Sequence, residues 1–182
     1  TDWSNTDYIK TDDTSYASNL LGMSGSGNNE SEYLIATNFG FAIPSTATIS
    51  GIEVSLDRFA DGTNCVTTET IDLYYGGSGV GTSKWEPYYY WPASVESKTF
   101  GSSSDLWGWS SASPSNVNSS SFGVRIRIYN PNCIAYEPTG YIDYVGITVH
   151  YTDGWTGKVI SVTNPAKIIG KAKDAVKKVL GI

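Results

Sequence analysis

The sequence contains one histidine, one methionine and two cysteines in 182 residues. Tetrahedral zinc sites take their ligands from clustered Cys and His side chains, so we expect no metal ion and no cofactor. No apolar run reaches the length of about 18 residues that a transmembrane helix needs, which excludes a membrane-spanning role. Metal chemistry and membrane insertion are therefore poor starting points for the function.

Patterns of catalytic residues are also missing. An enzyme needs a positioned acid, base or nucleophile. The sequence shows no Ser-His-Asp, Cys-His or metal-spacing pattern, and His150 has no carboxylate or nucleophile beside it in sequence. We therefore expect no enzymatic activity. Carboxylates on separate strands could still form a glycosidase pair, and this alternative stays open.

Turn-forming and strand-forming residues are abundant instead. The chain has 13 tyrosines, 6 tryptophans and 19 glycines, and helix formers are scarce before residue 155. Apolar residues alternate with polar ones in several stretches, which is typical of half-buried strands. We predict strands at 34–41, 52–57, 66–75, 95–100, 122–129 and 141–151. This pattern predicts an all-β fold, an antiparallel jelly-roll-like β-sandwich over residues 1–152.

Several local features refine this prediction. An early edge strand is expected near residues 7–10, and the apolar stretch 34–41 is expected to be covered on both faces. The Gly-rich stretch 76–83 lacks the spacing of a phosphate-binding loop and is predicted to be a plain loop. Arg125 and Arg127 share one face of their strand and should pair with acids on neighbouring strands.

Asp143 has a less favourable position in the last predicted strand. It falls in phase with Tyr141, Val145 and Ile147, which places a carboxylate on an otherwise apolar face. A buried carboxylate needs a partner, and either a backbone amide or an arginine would serve.

Five segments together resemble a known kind of domain. They read TDDTSYAS at 11–18, NFGFAIPSTATISGIEVSLDR at 38–58, DLWG at 105–108, SFGVRIRI at 121–128 and GYIDYVGITVHYT at 140–152. In this order they resemble a β-sandwich domain of bacteriophage structural proteins and prophage-encoded proteins. The resemblance implies the fold and a phage context, and it supplies no catalytic motif. The segment NPAKIIGK at 164–171 is similar to a tail motif that ends phage proteins of this type.

The last thirty residues differ from the rest of the chain. Residues 153–182 read as a linker, a short strand at 158–162 and an amphipathic helix after Asn164. Six lysines against one acid give residues 154–182 a net charge of +5, whereas residues 1–153 hold six bases and 17 acids, a net −11. We predict that this basic tail anchors the chain to another subunit through Lys167, Ile168, Ile169, Lys171, Ala172, Val176, Lys177 and Val179. A merely solvated tail and a tail bound to a membrane surface are the alternatives.

The densest aromatic cluster lies at 85–91. Its five rings belong to Trp85, Tyr88, Tyr89, Tyr90 and Trp91. Five rings in seven residues cannot all face one side of a strand, so some of them are exposed. Capping one end of the sandwich, contact with another subunit and stacking on a sugar all remain open.

Cys65 and Cys133 each follow an asparagine and precede a predicted strand. If those strands run close together, the two thiols meet at one end of the sandwich. A disulfide and two free thiols are the two alternatives, because a reducing cytoplasm would keep the thiols free.

These observations favour a structural virion protein of a bacteriophage, either a head decoration or a tail or fibre component. Its expected partners are copies of the same chain or a major capsid or tail protein. Nucleic acid is excluded, because the body has too few positive charges. The alternative is a carbohydrate-binding or receptor-binding module that uses the aromatic cluster. Thr1 in place of Met predicts removal of a leader or of an initiator Met, and the second suits a virion protein made in the host cytoplasm and released by lysis.

Overall fold

A computed structural model describes residues 1–153. This part of the chain contains a 3₁₀ helix at Thr6–Lys10 and a one-turn helix, α1, at Pro114–Val117. Its strands are β1 (Ala17–Leu20), β2 (Leu34–Thr37), β3 (Thr48–Ala60), β4 (Thr67–Tyr75), β5 (Ser78–Val80), β6 (Glu86–Tyr90), β7 (Glu96–Ser102), β8 (Gly123–Tyr129) and β9 (Thr139–Thr152).

The strands form two antiparallel sheets that face each other. The first sheet has the order β1-β9-β3-β7, and the second has the order β2-β8-β4, with β5 and β6 both on the outer edge of β4. Both orders interleave early and late strands, as two Greek keys do in a jelly roll. The fold is therefore the predicted all-β, jelly-roll sandwich.

The core lies between the two sheets and follows from the alternating pattern. On β3, the side chains of Ile52, Val54 and Leu56 have no exposed surface, while the residues between them are partly exposed. Trp107 is 1% exposed, and its indole nitrogen donates to the backbone oxygen of Ile52 over 2.8 Å. A buried indole N–H thus has the partner that it needs.

Four connections meet at one end of the sandwich: β1–β2, β3–β4, β6–β7 and β8–β9. Cys65 and Cys133 lie on two of these connections and form a disulfide, with their Cα atoms 5.3 Å apart. The expectation that the two cysteines meet at one end is confirmed. Backbone hydrogen bonds from Leu21 to Pro138 (2.9 Å) and from Ser24 to Cys133 (2.7 Å) join a third connection to the same end.

Three local expectations were wrong. Residues 7–10 lie in the 3₁₀ helix, and the edge strand of that sheet is β1, which the polar sequence around Asn19 concealed. The strand expected at 34–41 ends at Thr37 and lies at a sheet edge, where Ile35 is 45% exposed. The Gly-rich stretch 76–83 contains β5, which pairs with the end of β4.

The pairing of the outward arginines is confirmed. Arg125 forms two hydrogen bonds with Asp72, at 2.8 and 2.9 Å, and Arg127 pairs with Glu30 and lies 3.2 Å from Glu69. Burial raises the pKa of Glu69 above its ordinary value, and the positive charge of Arg127 opposes that effect.

The register predicted for β9 was wrong, because a β-bulge interrupts the regular alternation of its side chains between the two faces. Opposite Asp57 and Arg58 of β3 the pairing skips Asp143, so Tyr141 faces outward while Val145 faces the core. The Asp143 carboxylate accepts a 3.2 Å hydrogen bond from the backbone N–H of Asp13, one of the two expected kinds of partner. Among residues 1–153, no helix is long and apolar enough to cross a membrane.

Candidate functional site

The aromatic cluster lies on β6 and directly beside it, at the edge of the second sheet, with Trp85 before the strand and Trp91 after it. Thr67 pairs with Tyr90 and Thr68 pairs with Glu86, so residues 87–89 bulge out without partners on β4. Pro87 has no backbone N–H to donate, which suits a bulged edge. This bulge displaces residues 87–89 from the edge of β4.

The structure places four of the five aromatic side chains in two groups, one exposed and one buried. Tyr88, Trp85 and Tyr89 are 90%, 60% and 41% exposed and together form what we call the β6 surface. Trp91 is 1% exposed in the core, and its indole nitrogen donates to the Thr68 hydroxyl over 3.1 Å. A cap on one end of the sandwich therefore does not account for the whole cluster.

Tyr90 joins neither group. Its hydroxyl accepts a 2.6 Å hydrogen bond from the side-chain amide of Asn132, on the β8–β9 connection. The bulge is thus fixed at its C-terminal end by Tyr90 and by Trp91, whose backbone N–H donates to Val66 over 2.8 Å.

The N-terminal end of the bulge is fixed by a buried arginine. Arg58 of β3 has no exposed surface, and its guanidinium donates to Thr68 (2.7 Å), Glu86 (2.9 Å) and Glu96 (3.4 Å). We call these four residues the Arg58 cluster. Because Arg58 belongs to the first sheet and both Thr68 and Glu86 to the second, the cluster joins the two sheets beside β6.

Aromatic rings complete the environment of this guanidinium. Its central carbon lies 5.4 Å from the ring centre of Tyr89, 5.3 Å from that of Trp91 and 5.5 Å from that of Phe100. Cation–π contacts of this kind stabilise a positive charge that has little water around it.

Tyr89 is held by two further groups. Its hydroxyl donates to Glu96, and Lys98 lies over its ring with Nζ 4.2 Å from the ring centre. The hydrogen bond to Glu96 and the charge of that carboxylate raise the pKa of Tyr89 above its ordinary value. Lys98 also pairs with Glu86 at 3.0 Å. Tyr89 is therefore fixed by its neighbours, while Tyr88 and Trp85 are left to face solvent.

The two glutamates are the nearest approach to a carboxylate pair at this edge. Glu86 and Glu96 both accept hydrogen bonds from Arg58, so they act as counter-ions to a buried cation. A glycosidase pair instead places one acid and one base on either side of a substrate bond. The arrangement here stabilises the bulge and leaves Tyr88 and Trp85 exposed beside it.

Other predicted positions fall elsewhere. The eight residues proposed to anchor the tail lie outside residues 1–153 and therefore outside the part of the chain that the structure describes. Within that part, no group of three or more His, Cys, Asp or Glu side chains is arranged to hold a metal ion.

Sequence reasoning missed the Arg58 cluster. Arg58 follows Val54 and Leu56 at a spacing of two, so the alternation places its side chain on the core face. This register was visible in the sequence. Its carboxylate partners were not, because Glu86 and Glu96 are 28 and 38 residues away along the chain.

Comparisons with a set of family models, with curated proteins and with solved structures found no match to this chain. The resemblance to phage β-sandwich domains therefore stays a prediction that rests on the quoted segments.

Proposed function

We propose that this protein is a structural subunit of a bacteriophage particle, a head decoration or a tail or fibre component, that binds other virion subunits. It acts by binding rather than by catalysis, and it is made in the host cytoplasm before it joins the particle. The observation that carries this proposal is the opposition of charge between an acidic jelly-roll body, net −11, and a basic C-terminal segment, net +5. Opposite charges on two parts of one chain favour contact between copies.

Two further features support a structural role. Jelly rolls are common building blocks of viral capsids. The segments that resemble phage domains contribute much of this core, including Ile49, Ile52 and Val54 of β3 and Val124 and Ile126 of β8. The resemblance therefore concerns residues on which the fold depends.

The test is incorporation into intact particles, measured by quantitative mass spectrometry of particles from the source. Ile169→Asp and Val176→Asp place a charge on the apolar stripe of the predicted helix and should abolish incorporation. Lys173→Ala, at the flank of that stripe, changes the net charge by the same one unit and is the control for the change in charge. If charge dominates instead, raised salt releases the protein and all three variants are weakened alike. A chain that ends at Asp153 and still reaches wild-type occupancy would contradict anchoring through the tail.

A second candidate function is binding of a glycan or a receptor. The observation that favours it is the exposure of Tyr88 on a bulge whose two ends are fixed, with the exposed Trp85 just before that bulge. Flat aromatic faces stack on sugar rings, and rigid rings lose little entropy on binding. On a glycan array, Tyr88→Ala should remove a signal that Tyr136→Ala, at another aromatic position that is 46% exposed, retains. If the wild-type protein gives no signal on the array, the glycan or receptor function is rejected and only the virion proposal remains.

A further inference from the structure

A long groove runs beside β2, at the opposite side of the sandwich from the β6 surface. It consists of two adjoining hollows of about 450 and 440 Å³ that share Thr6, Leu34 and Ile35. The apolar side chains along it belong to Trp3, Ile9, Leu34, Ile35, Phe39 and Val145. We call this feature the β2 groove.

One wall of the groove is an unpaired sheet edge. β2 pairs with β8 on one side, and within residues 1–153 neither a strand nor a loop backbone pairs with its other side. Such an edge presents backbone N–H and C=O groups that can bind another strand. The four residues of β2 are enough to pair with a short added strand.

The other wall of the groove limits which kind of segment can bind in it. The 3₁₀ helix Thr6–Lys10 stands opposite β2 and turns Ile9, which is 6% exposed, toward the core. A groove between a strand edge and a helix accepts one extended segment, whereas the helix would obstruct the edge of a whole sheet. Ile35, at 45% exposure, offers an uncovered apolar contact for the side chains of that segment.

The charge of the groove favours a basic occupant. Asp2, Asp7 and Glu32 line it, and Lys10, which pairs with Asp7, is its one lining cation among the described residues. A segment that adds to β2 should therefore combine β-branched residues with lysine.

The chain itself carries such a segment. Residues 158–162 read KVISV, with three β-branched aliphatic residues after a lysine, and the whole of 154–182 is basic. We propose that residues 158–162 of a neighbouring copy add to the free edge of β2 as an extra strand. This proposal rests on the proposed function, because it names the surface on which one subunit receives the tail of the next.

The length of the chain favours a neighbouring copy over the same copy. From Val145, which lines the groove, to Thr152 the strand covers seven residues, or about 24 Å at the rise of a strand. The six residues from Thr152 to Lys158 span at most about 21 Å. A tail that leaves the end of β9 would therefore bring Lys158 short of Val145 on its own body.

The experiment measures self-association of the full-length chain by sedimentation velocity over a range of concentrations. Ile160→Pro removes a backbone donor and should prevent strand addition, whereas Thr156→Pro lies before the segment and is its control. On the groove, Ile35→Asp should have the same effect as Ile160→Pro. Ile134→Asp changes an apolar residue that is 75% exposed on another surface and is the matched control.

We expect the association constant to fall by about tenfold or more in Ile160→Pro and Ile35→Asp and to stay unchanged in the two controls. Hydrogen exchange of the β2 amides should slow on association in the wild type and not in Ile160→Pro. Thermal unfolding of the four variants checks that the sandwich remains folded.

Two results would overturn the inference. Association that survives both Ile160→Pro and Ile35→Asp would place the contact elsewhere and leave the virion proposal intact. Slow exchange of the β2 amides in a strictly monomeric protein would mean that the tail docks on its own body. Failure of the virion proposal is a separate outcome, since it would appear as absence of the wild-type chain from intact particles.

Discussion

Arg58, which is fully buried, donates a 2.9 Å hydrogen bond to Glu86 and thereby ties the first sheet of the sandwich to the bulged edge of the second. A charged side chain is rarely fully buried unless each of its hydrogen-bond donors has a partner. Here the partners are two carboxylates, a hydroxyl and three ring faces, all near the β6 surface. The fold and the candidate binding surface therefore depend on the same side chain.

Replacing this arginine should be costly. Arg58→Met keeps most of the side-chain volume and leaves Glu86, Glu96 and Thr68 without their donor, so we expect a loss of about 3–5 kcal/mol in the free energy of unfolding. Lys10→Met, which removes an exposed ion pair with Asp7, should leave it nearly unchanged, because water screens that pair. Urea denaturation measures both. Equal effects in the two variants would contradict the role of Arg58.

The disulfide should contribute strongly to stability. Cys65 and Cys133 are 68 residues apart, and closing a loop of that length restricts the unfolded chain by about 4 kcal/mol in the chain-entropy model. Reductant should therefore lower the melting temperature of the wild type and leave that of the Cys65→Ser/Cys133→Ser variant unchanged. Titration of free thiols in the native and denatured protein measures the bridge directly, and two reactive thiols in the denatured, unreduced protein would exclude it.

Asp143 should make stability depend on pH. Burial raises the pKa of its carboxyl above the ordinary value of 3.8, and the charges of Asp13, Asp12 and Asp57 add to the effect, against the hydrogen bond from Asp13. The folded state then binds more protons than the unfolded state between the two pKa values, so this residue lowers stability as the pH rises through that window.

The variant Asp143→Asn keeps an acceptor for the Asp13 amide and removes the charge. It should be more stable than the wild type at pH 7, with a difference that shrinks as the pH falls toward 3.8. Denaturation curves at a series of pH values give the comparison. A difference that grows on acidification would have the wrong sign for this explanation.

The buried and the exposed aromatic residues of the cluster at 85–91 should respond differently to truncation. Trp91→Ala empties a core position and should lower the free energy of unfolding by about 3–5 kcal/mol. Tyr88→Ala removes a side chain that is 90% exposed and should stay within about 0.5 kcal/mol of the wild type. If Tyr88→Ala nevertheless loses binding to particles or glycans, Tyr88 acts in recognition rather than in folding. A large loss of stability in Tyr88→Ala would contradict that interpretation.

Much of the fold could be predicted because β3, β4, β8 and β9 alternate in sequence as they do in space. β1 could not, since Ser18 and Asn19 give a polar four-residue strand no periodic signal. The edge position of β2 was also hidden, because the apolar run after Leu34 reads like a strand with two covered faces. The difference between the predicted and the observed position of β2 matters, because the β2 groove is formed by an apolar strand at an open sheet edge.

The candidate site was predicted only in part. The aromatic cluster was visible as a run of rings, but no periodicity distinguishes the buried Trp91 from the exposed Trp85. That distinction arises from the bulge at 87–89, which depends on how β6 meets β4. The Arg58 cluster and the β2 groove bring together residues far apart in sequence, and only the tertiary structure shows them.

The bulge on β6 has a consequence for how such a protein can diversify. Its two ends are fixed by Glu86 on Arg58 and by Tyr90 on Asn132, while the three residues between them carry no pairing with β4. A change of sequence at Tyr88, which is 90% exposed, therefore leaves the register of both sheets untouched, whereas Tyr89 is held by Arg58 and Glu96. The exposed side chain of this short segment can therefore vary between related proteins while the sandwich keeps one architecture.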